Sequence, residues 1–378
     1  MSNKALNAKA LCAMSGGVDS SVAVALMQEQ GFKCAGITLE LFKKDINCLK
    51  FESIENKNNF PIQTEQCSGT EASVAKKIAF DLGIEHYLLD LTDEFDKYVI
   101  RNFAETYEMG ETPNPCIECN RNIKFNFLHF KKIQIEFDIY ATGHYARITK
   151  DPINGRYLLR KAADDKKDQS YVLFCLTQKQ LEKTCFPLGE FSKNEVRKIA
   201  KSKKLTNASK SESQDICFVP NGDYGNFIER YTGKKYPQGD IINQEGKIIG
   251  RHNGIIRYTI GQRRGLGVAA NEPVFVIKKS IDNNTITLAR DEALLTKTLL
   301  AKKINLIACD DILKPMQVMV KTRYLQTAAS AIAEQTDKDT IKIVFDAPQR
   351  AITPGQAAVM YDGDIVIGGG TITGSGAE

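Results

Sequence analysis

The chain has 378 residues, of which 42% are hydrophobic and 26% are charged, with a net charge of +5. This balance excludes a largely disordered chain, and the length predicts two or three domains. No run of about 18 apolar residues occurs, so no transmembrane helix is expected; the apolar N-terminal patch runs into a glycine loop, which predicts a strand rather than a signal peptide.

The first 150 residues alternate strand-like and helix-like patterns. The predicted strands are Ala10–Ala13, Lys33–Leu39, His86–Leu91 and Ile139–Tyr145. The predicted helices are Ser21–Gln30, Glu71–Leu82 and Ile123–Lys132, and Lys43–Gly69 is a long loop. This alternation predicts an α/β fold with a doubly wound parallel sheet. Ligands of such sheets bind at the carboxyl ends of the strands, where the strand order reverses.

The segment 151–210 is basic, with 14 Lys or Arg against 7 Asp or Glu, so the rest of the chain sums to −2. It favours contact with a polyanion as much as it favours a solvated lysine-rich face. The residues from Gln178 to Lys204 have a helical pattern.

After about residue 214 the pattern becomes mainly β. Strand-like runs are Ile255–Ile260, Val274–Lys279, Thr285–Ala289, Ile304–Ala308, Gln317–Tyr324, Thr340–Phe345 and Ala357–Tyr361. They predict a small central β domain and a C-terminal β-barrel. The predicted domains are 1–214, 215–286 and 287–378.

A glycine-rich loop joins the first strand to the first helix. Its glycines permit close approach of the backbone to a phosphate, and the helix start favours the anion. A Walker A lysine is missing, which argues against a γ-phosphate site of the kinase type. Asp19 could help to hold Mg²⁺. The run SGGVDSS resembles the PP-loop of ATP pyrophosphatases and is far more specific than a plain Gly-Gly turn.

The 10 cysteines are scattered, which predicts a reducing compartment, the cytoplasm, rather than a disulfide scaffold. Cys116 and Cys119 form a CxxC pair, and Cys217 lies in a polar stretch. If Cys119 started a helix, the helix dipole would lower its thiol pKa. Zinc would need a second pair or a histidine. An iron–sulfur cluster on Cys116, Cys119 and Cys217 stays open. The cysteines interpreted as buried and inert are Cys12, Cys34, Cys175 and Cys309.

Eight motifs occur in one order over nearly the whole chain: SGGVDSS, TPNPCIECN, ATGHYA, KDQSY, DICF, YTIGQRRGLG, KTRY and TPGQ. Together they resemble those of the bacterial and mitochondrial tRNA-specific 2-thiouridylases. The resemblance implies an adenine-nucleotide α-hydrolase-like PP-loop domain. It also implies ATP-dependent adenylation of O2 of the wobble uridine and sulfur delivery from a cysteine persulfide, with AMP and pyrophosphate as products.

The resemblance assigns roles to individual residues. Cys217 matches the persulfide carrier and Cys119 the nucleophile, with a transient disulfide between them; Asp19 is expected to act in catalysis. The residues that match ATP contacts are Ala13, Met14, Ser15, Gly16, Gly17, Val18, Asp19, Ser20, Leu39 and Gly143. The residues that match contacts to the target base or to tRNA are Asn114, Pro115, Cys116, His144, Lys167, Asp168, Gln169, Arg323, Tyr324 and Gln356.

One position departs from the common family pattern. Many members have Asp where this chain has Cys116, and a thiol has a higher pKa than a carboxyl group. The acid–base role at this position is therefore in doubt, and Cys116 could be a resolving thiol or a cluster ligand.

The expected partners are the anticodon stem-loop of a tRNA, with the target base extruded, and a sulfur donor, either a cysteine desulfurase or a persulfide relay protein. The expected cofactors are ATP with Mg²⁺, and no membrane is expected. Three alternatives stay open: a cluster-dependent PP-loop thiolase, an amide-forming PP-loop ligase that needs no cysteine, and a non-catalytic RNA-binding module.

Overall fold

A computed structural model describes residues 8–42, 54–55, 61–62, 71–128, 137–210, 215–219 and 222–375. The chain divides into two compact units. Unit 1 contains Met1–Tyr98, Ile117–Gln214 and Asp364–Val366, and unit 2 contains Val99–Cys116, Asp215–Gly363 and Ile367–Glu378. The predicted domain boundaries after residues 214 and 286 stay predictions.

The strands of the described residues are β1 (Lys9–Ala13), β2 (Lys33–Glu40), β3 (Ile54–Glu55), β4 (Pro61–Ile62), β5 (His86–Asp90), β6 (Ile139–Ala141), β7 (Arg147–Lys150), β8 (Tyr157–Arg160), β9 (Thr184–Cys185), β10 (Gly239–Ile242), β11 (Ile248–His252), β12 (Phe275–Ser280), β13 (Thr285–Ala289), β14 (Leu295–Leu306), β15 (Met316–Lys321), β16 (Ala329–Asp337), β17 (Thr340–Arg350), β18 (Ala357–Asp362) and β19 (Ile365–Ser375). The α-helices are α1 (Val18–Glu29), α2 (Glu71–Asp81), Thr92–Phe95, Arg101–Glu108, Pro115–Cys119, Phe125–Leu128, Ser170–Leu173, Gln178–Glu182, Lys193–Ser202 and Tyr224–Thr232. There are also two π-helical turns, Asp96–Ile100 and Asn120–Lys124, and two 3₁₀ turns, Ile255–Arg257 and Asp291–Leu294, in the described ranges.

Unit 1 is built on a sheet of order β3-β4-β5-β2-β1-β6-β9. Five of these strands run parallel to one another: β5, β2, β1, β6 and β9. The strands β3 and β4 add an antiparallel edge. The chain passes from β1 to β2 on one side and later returns to β6 on the other side. The strand order therefore reverses at β1, and a ligand site is expected at the carboxyl ends of β1 and β6. The predicted α/β fold class is confirmed.

The helix α1 is buried on more than one face, as its apolar sequence VDSSVAVALMQE dictates. Val22 and Leu26 pack with Val196 and Ala200 of the helix Lys193–Ser202. Other α1 side chains pack with the strand β1 and with α2. This burial fixes the helix start against the sheet.

Unit 2 contains a four-stranded sheet of order β11-β10-β13-β12 and a closed β-barrel. Strands β14, β17, β16, β15, β18 and β19 form the ring, which the pairing of β14 with β19 closes. Alternating apolar residues fill its interior, including Val320, Ile343, Phe345, Met360 and Ile372. The predicted β architecture after the first domain is confirmed.

Several predicted elements differ from the observed ones. The expected strand Ile255–Ile260 is instead a 3₁₀ turn, Ile255–Arg257, which follows Gly254 at φ +98°. Ile255, Ile256 and Tyr258 are all buried. A strand would direct neighbouring side chains to opposite faces, whereas the 3₁₀ turn allows Ile255 and Ile256 to be buried together. Most of the predicted loop Lys43–Gly69 and the end of the predicted helix Ile123–Lys132 lie outside the described residues.

None of the helices in the described parts of the chain has the length and apolar character that a membrane span needs.

Candidate active site

The loop between β1 and α1 lies at the reversal point of the sheet and has an anion-binding geometry. Gly16 has φ +69°, and a Cβ there would lie 2.7 Å from the carbonyl oxygen of Glu71. Gly17 is extended and precedes α1, whose start has no side-chain cap. The Ser15 amide donates to Ser20 Oγ at 3.3 Å. The Ser20 and Ser21 hydroxyls donate to the Gly17 carbonyl, at 3.0 and 2.9 Å. The loop therefore offers an anion the backbone N–H groups of a helix start that no side chain caps.

Gly143 follows β6 and touches the start of the same helix. A Cβ on this residue would lie 2.7 Å from the Ser20 nitrogen and 2.8 Å from the Asp19 carbonyl carbon. Any side chain would displace backbone rather than a flexible group. The absence of a side chain therefore sets the distance between the β6 end and the glycine loop.

Asp19, in the first turn of α1, forms an ion pair inside unit 1. Both carboxylate oxygens accept from Lys193 Nζ, at 2.7 and 2.8 Å. Tyr145 OH donates to Oδ1 at 2.9 Å. Lys193 is only 9% exposed, so this positive charge lies beside the loop in a largely desolvated position.

Two residues from a later segment support the glycine loop. Asn207 Nδ2 donates to the Gly16 carbonyl at 3.2 Å and to Ser21 Oγ at 3.0 Å. Lys210 Nζ donates to the same carbonyl at 3.4 Å. Asn207 is buried, and its Oδ1 has no hydrogen-bond partner among the described residues. The loop conformation therefore depends on residues far away in the sequence.

A hydrogen-bond chain links β5 to the residue before the loop. Thr38 Oγ1 donates to the Met14 carbonyl at 2.7 Å and lies 2.9 Å from His86 Nε2. Because the threonine hydroxyl has one proton, His86 Nε2 must be the donor in the second bond. Burial, with a smaller effect of Lys76, lowers the pKa of His86 to about 4, so the ring is neutral at pH 7.

The helix Pro115–Cys119 contains both members of the CxxC pair and continues as the π-helical turn Asn120–Lys124. It begins at Pro115, so Cys119 lies at its end. The condition considered above, that Cys119 starts a helix, is not met; Cys116 occupies the first turn. Cys116 is exposed, whereas Cys119 is only 6% exposed.

Cys217 belongs to unit 2 and is exposed on a short turn. The Val219 amide closes the turn by donating to the Ile216 carbonyl at 3.0 Å. The next residue, Phe218, is buried and meets Phe103 edge-on with ring centroids 5.2 Å apart. The thiol is thus presented to solvent on a segment whose following side chains are packed.

His144 is enclosed by aromatic rings rather than fully exposed to a ligand. Its Nδ1 lies 2.8 Å from Thr142 Oγ1, and its ring centroid lies 5.9 Å from Phe125 and 6.0 Å from Phe186. Burial, together with a smaller effect of Lys124, lowers the pKa of His144 to about 3. The ring is therefore neutral at pH 7, and its predicted RNA contact stays a prediction.

The segment Lys167–Gln169 has a clear structural role in unit 1. Asp168 is buried, and its carboxylate accepts from the amides of Ala162 and Ser170, both at 3.1 Å. Gln169 Oε1 accepts from the Tyr145 amide at 2.8 Å. These two residues fix the chain that follows Gly143, and their predicted RNA contact stays a prediction.

Six predicted RNA contacts lie in unit 2: Asn114, Pro115, Cys116, Arg323, Tyr324 and Gln356. Tyr324 is 36% exposed. Arg323 donates to the Ala351 carbonyl. Gln356 Nε2 donates to the carbonyls of Thr112 and Pro113, at 2.9 and 3.0 Å. Arg323 and Gln356 thus hold backbone of their own unit.

The structure assembles the predicted ATP contacts at one edge of the unit 1 sheet. Ala13 ends β1, the loop residues follow, and Gly143 lies against them. Leu39 lies near the carboxyl end of β2, opposite Leu89 of β5, and is half-buried. In unit 2, Asn114 and Pro115 follow the two carbonyls that Gln356 holds.

The oxygen donors at the loop fit Mg²⁺. The Asp19 carboxylate and the Ser15 and Ser20 hydroxyls are the hard oxygen ligands that this ion prefers, and the Asp19 oxygens would exchange Lys193 Nζ for the ion. Among the described residues, no three His, Cys, Asp or Glu side chains are grouped as metal ligands. The alternative of an iron–sulfur cluster on Cys116, Cys119 and Cys217 stays a prediction.

Sequence reasoning missed Lys193, Tyr145, Asn207 and Lys210. A signal for Lys193 was present. Ser192 and Glu195 form a capping box that starts the helix Lys193–Ser202, and a lysine at the first helical position opposes the helix dipole. Such a lysine is expected where a nearby anion compensates, and Asp19 is that anion.

The low pKa values of His86 and His144 predict how the free energy of unfolding depends on pH. Their pKa values in the fold, about 4 for His86 and about 3 for His144, lie below the ordinary value of 6.5. Their stabilising contribution is therefore complete above pH 6.5 and is lost as the pH falls toward 4. Each contributes at most about 1.4 kcal/mol per pH unit.

Urea unfolding between pH 7 and 4.5 checks this. We expect a shallower pH dependence of the free energy of unfolding in His86→Asn and His144→Asn than in the unchanged chain. The absolute stability of each variant is not the readout, because a packing loss is independent of pH. An unchanged slope in both variants would mean that the two rings titrate normally.

The fold and the loop together define a nucleotide-binding α/β domain followed by β-sheet and β-barrel domains. Family models match in that order: a tRNA methyl transferase HUP domain at residues 8–221, a tRNA methyl transferase PRC-barrel domain at 225–290 and an aminomethyltransferase beta-barrel domain at 296–372.

Relatives of similar length match almost the entire chain. The tRNA-specific 2-thiouridylase MnmA of Clostridioides difficile is 45% identical over 97% of this chain and 98% of its own length. Those of Acetivibrio thermocellus and Heliobacterium modesticaldum are 43% and 46% identical, over 96% and 95% of this chain and 99% and 91% of theirs. The chain belongs to the tRNA-specific 2-thiouridylase family, as the motifs predict.

Proposed function

We propose that this protein is an ATP-dependent tRNA sulfurtransferase that converts the wobble uridine of its tRNA substrates to 2-thiouridine. The observation that carries the proposal is the glycine loop at the sheet reversal point, with Asp19 and Lys193 beside it. Family membership and the exposed thiol of Cys217 support the sulfur chemistry. The proposed organisation keeps the three domains 1–214, 215–286 and 287–378.

The first proposed step is adenylation. The loop residues Ala13–Ser20, with Leu39 and Gly143, bind ATP, and the helix start holds its phosphates. Asp19 would hold the Mg²⁺ that accompanies ATP, and this ion supplies charge neutralisation on the phosphates. The uridine O2 attacks the α-phosphorus, and pyrophosphate leaves. Lys193 would exchange its bonds with Asp19 for the leaving group, whose developing negative charge it would stabilise.

The second proposed step moves sulfur. The terminal sulfur of a persulfide on Cys217 attacks C2 of the adenylated uridine, and AMP leaves with the former O2. The Cys119 thiolate then attacks the Cys217 sulfur, which forms a Cys119–Cys217 disulfide and releases 2-thiouridine. Two electrons from a thiol reductant restore the two cysteines. A cysteine desulfurase or a persulfide relay protein supplies the next sulfur.

The proposed RNA contacts remain those that the motifs indicate. Single-stranded bases of the anticodon loop are read by extrusion and stacking. Asn114, Pro115 and Cys116 would face the target base, while the neutral His144 and exposed Tyr324 offer flat rings. Of the remaining members of the set, Lys167 would supply positive charge near the phosphates. The buried Asp168 and the backbone-bonded Gln169, Arg323 and Gln356 would instead hold the chain beside the RNA.

A thiolation assay tests the proposal. Unmodified tRNA is incubated with the protein, ATP, Mg²⁺, cysteine and a desulfurase, and the digested nucleosides are identified by mass spectrometry. We expect 2-thiouridine at the wobble position, with AMP and pyrophosphate in matching amounts. Formation of pyrophosphate without any thionucleoside would reject the sulfurtransferase and leave an adenylating ligase.

A further inference from the structure

The turn Thr353–Gln356 of the barrel unit contacts the backbone of the segment Thr112–Cys116. The Thr112 amide donates to the Pro354 carbonyl at 2.9 Å. Gln356 Nε2 returns two hydrogen bonds, to the carbonyls of Thr112 and Pro113 at 2.9 and 3.0 Å. Three hydrogen bonds thus join two stretches that are more than 240 residues apart.

The turn has the sequence that this geometry requires. Pro354 and Gly355 occupy the two central positions, with Gly355 at φ +88°, and the Gln356 amide donates to the Thr353 carbonyl at 3.2 Å. This is the type II pattern, in which proline precedes glycine. A Cβ on Gly355 would lie 2.7 Å from the Thr112 oxygen and 2.9 Å from its nitrogen. The close approach of the two backbones therefore depends on this glycine.

The turn is itself fixed on the barrel. The Gly355 amide donates to the Ile372 carbonyl at 2.9 Å, and the Ile372 amide donates to the Gln356 carbonyl at 2.8 Å. Ile372 is fully buried in the barrel core. On the other side, Arg323 and the Thr353 hydroxyl both donate to the Ala351 carbonyl. Ala351 has φ +52°, and these two bonds hold its unfavourable backbone in place.

The contacted segment has few bonds of its own. Pro113 and Pro115 lack N–H groups, and each restricts the residue before it to an extended backbone. Thr112 Oγ1 is buried without a hydrogen-bond partner among the described residues. The local sequence therefore stiffens the segment, while the barrel turn sets where its carbonyls lie.

We propose that the Thr353–Gln356 turn is a positioning element for the base-binding segment, and that Gln356 acts on the reaction through Thr112 and Pro113 rather than by adding tRNA affinity. The inference rests on the proposed function, in which Asn114, Pro115 and Cys116 face the target base. It assigns Arg323 and Gln356, from two separate motifs, to one supporting structure. A displacement of about 1 Å at a reacting group costs on the order of 10²-fold in rate.

Gln356→Met tests the proposal because it keeps the side-chain length and neutral charge but removes both donated protons. Two quantities are measured on the full chain: the single-turnover thiolation rate at saturating tRNA and the dissociation constant of tRNA. We expect the rate to fall about 10- to 100-fold, while tRNA affinity changes by less than about threefold. Gln317→Met is the matched control, because Gln317 is an exposed barrel glutamine whose amide bonds Ser330.

Hydrogen exchange gives a readout independent of catalysis. The Thr112 amide is expected to exchange faster in Gln356→Met, with the barrel strands unchanged. Gly355→Ala perturbs the same segment, because its Cβ would contact Thr112. We expect it to slow thiolation and to speed exchange of the Thr112 amide, as Gln356→Met does. The test therefore still stands if one of the two variants fails to fold. An unchanged exchange rate, or a loss of tRNA affinity with an unchanged rate at saturation, would overturn the proposal. If the unchanged chain makes no 2-thiouridine, the proposed function fails, while the exchange experiment still reports on the turn.

Discussion

Replacement of Cys217 by serine is expected to abolish 2-thiouridine formation, by roughly 10³-fold or more, while tRNA-dependent pyrophosphate release in a single turnover persists. A hydroxyl cannot carry a persulfide sulfur, whereas adenylation needs no thiol. Cys119→Ser is expected to block at a later point: sulfur still reaches Cys217, but no disulfide with Cys119 forms. Nucleoside mass spectrometry, together with non-reducing peptide mapping after one turnover, distinguishes the two variants.

Cys309→Ser provides the matched control for both cysteine variants. Cys309 packs partly buried beside the barrel core, so it shares the residue type without a proposed chemical role. Full thiolation by Cys217→Ser in the presence of a desulfurase would remove the carrier assignment. Equal losses in all three variants would indicate a general effect of thiol replacement instead.

The second large effect is expected at the ion pair beside the glycine loop. Asp19→Asn and Lys193→Met should each slow pyrophosphate release by about 10²- to 10³-fold, because each removes a charge beside the glycine loop, where the phosphates are proposed to bind. tRNA affinity should stay nearly unchanged. Lys198→Met is the control, since Lys198 is exposed on the same helix as Lys193.

The paired variant separates stability from chemistry at this site. Removal of one partner leaves an uncompensated, partly buried charge and costs up to about 3–5 kcal/mol of folding free energy. The Asp19→Asn/Lys193→Met variant removes both charges and is expected to recover stability but not pyrophosphate release. Recovery of both would mean that the pair serves folding alone.

The first half of the fold could be predicted because its signals are local. The strands β1, β2 and β5 and the helices α1 and α2 each carry their apolar pattern in one continuous segment. The short strand β9 has no sequence signal because two residues carry no period, and only pairing with β6 defines it. The hairpin of β7 and β8 was not predicted because contacts that are distant in sequence define it. Arg147 and Arg160, at its two ends, both bond Asp364, which lies more than 200 residues further along the chain.

The candidate site was predictable where its residues are contiguous. The loop from Met14 to Ser20 is one motif, and its position between a strand and a helix gives its role. Lys193 and Asn207 reach the loop from 174 and 191 positions away, and only the folded chain brings them there. The helix start at Pro115 shows the limit of local prediction, because the prolines place Cys116, not Cys119, in the first turn.

Unit 1 is built from three separate segments of the chain. This arrangement sets the order in which its contacts form during synthesis. Asp364, near the C-terminus, bonds Arg147 and Arg160 of the β7–β8 hairpin. The carboxylate is made 217 residues after Arg147, which at ribosomal speeds corresponds to a delay of about 10–40 s. Until then the two guanidinium groups lack the carboxylate that joins them, although Arg147 can bond the Lys161 carbonyl and Arg160 the Thr149 hydroxyl. The last contacts of unit 1 therefore form only after the barrel strands β14–β18 have left the ribosome, so a prematurely terminated chain is left with an incomplete unit 1.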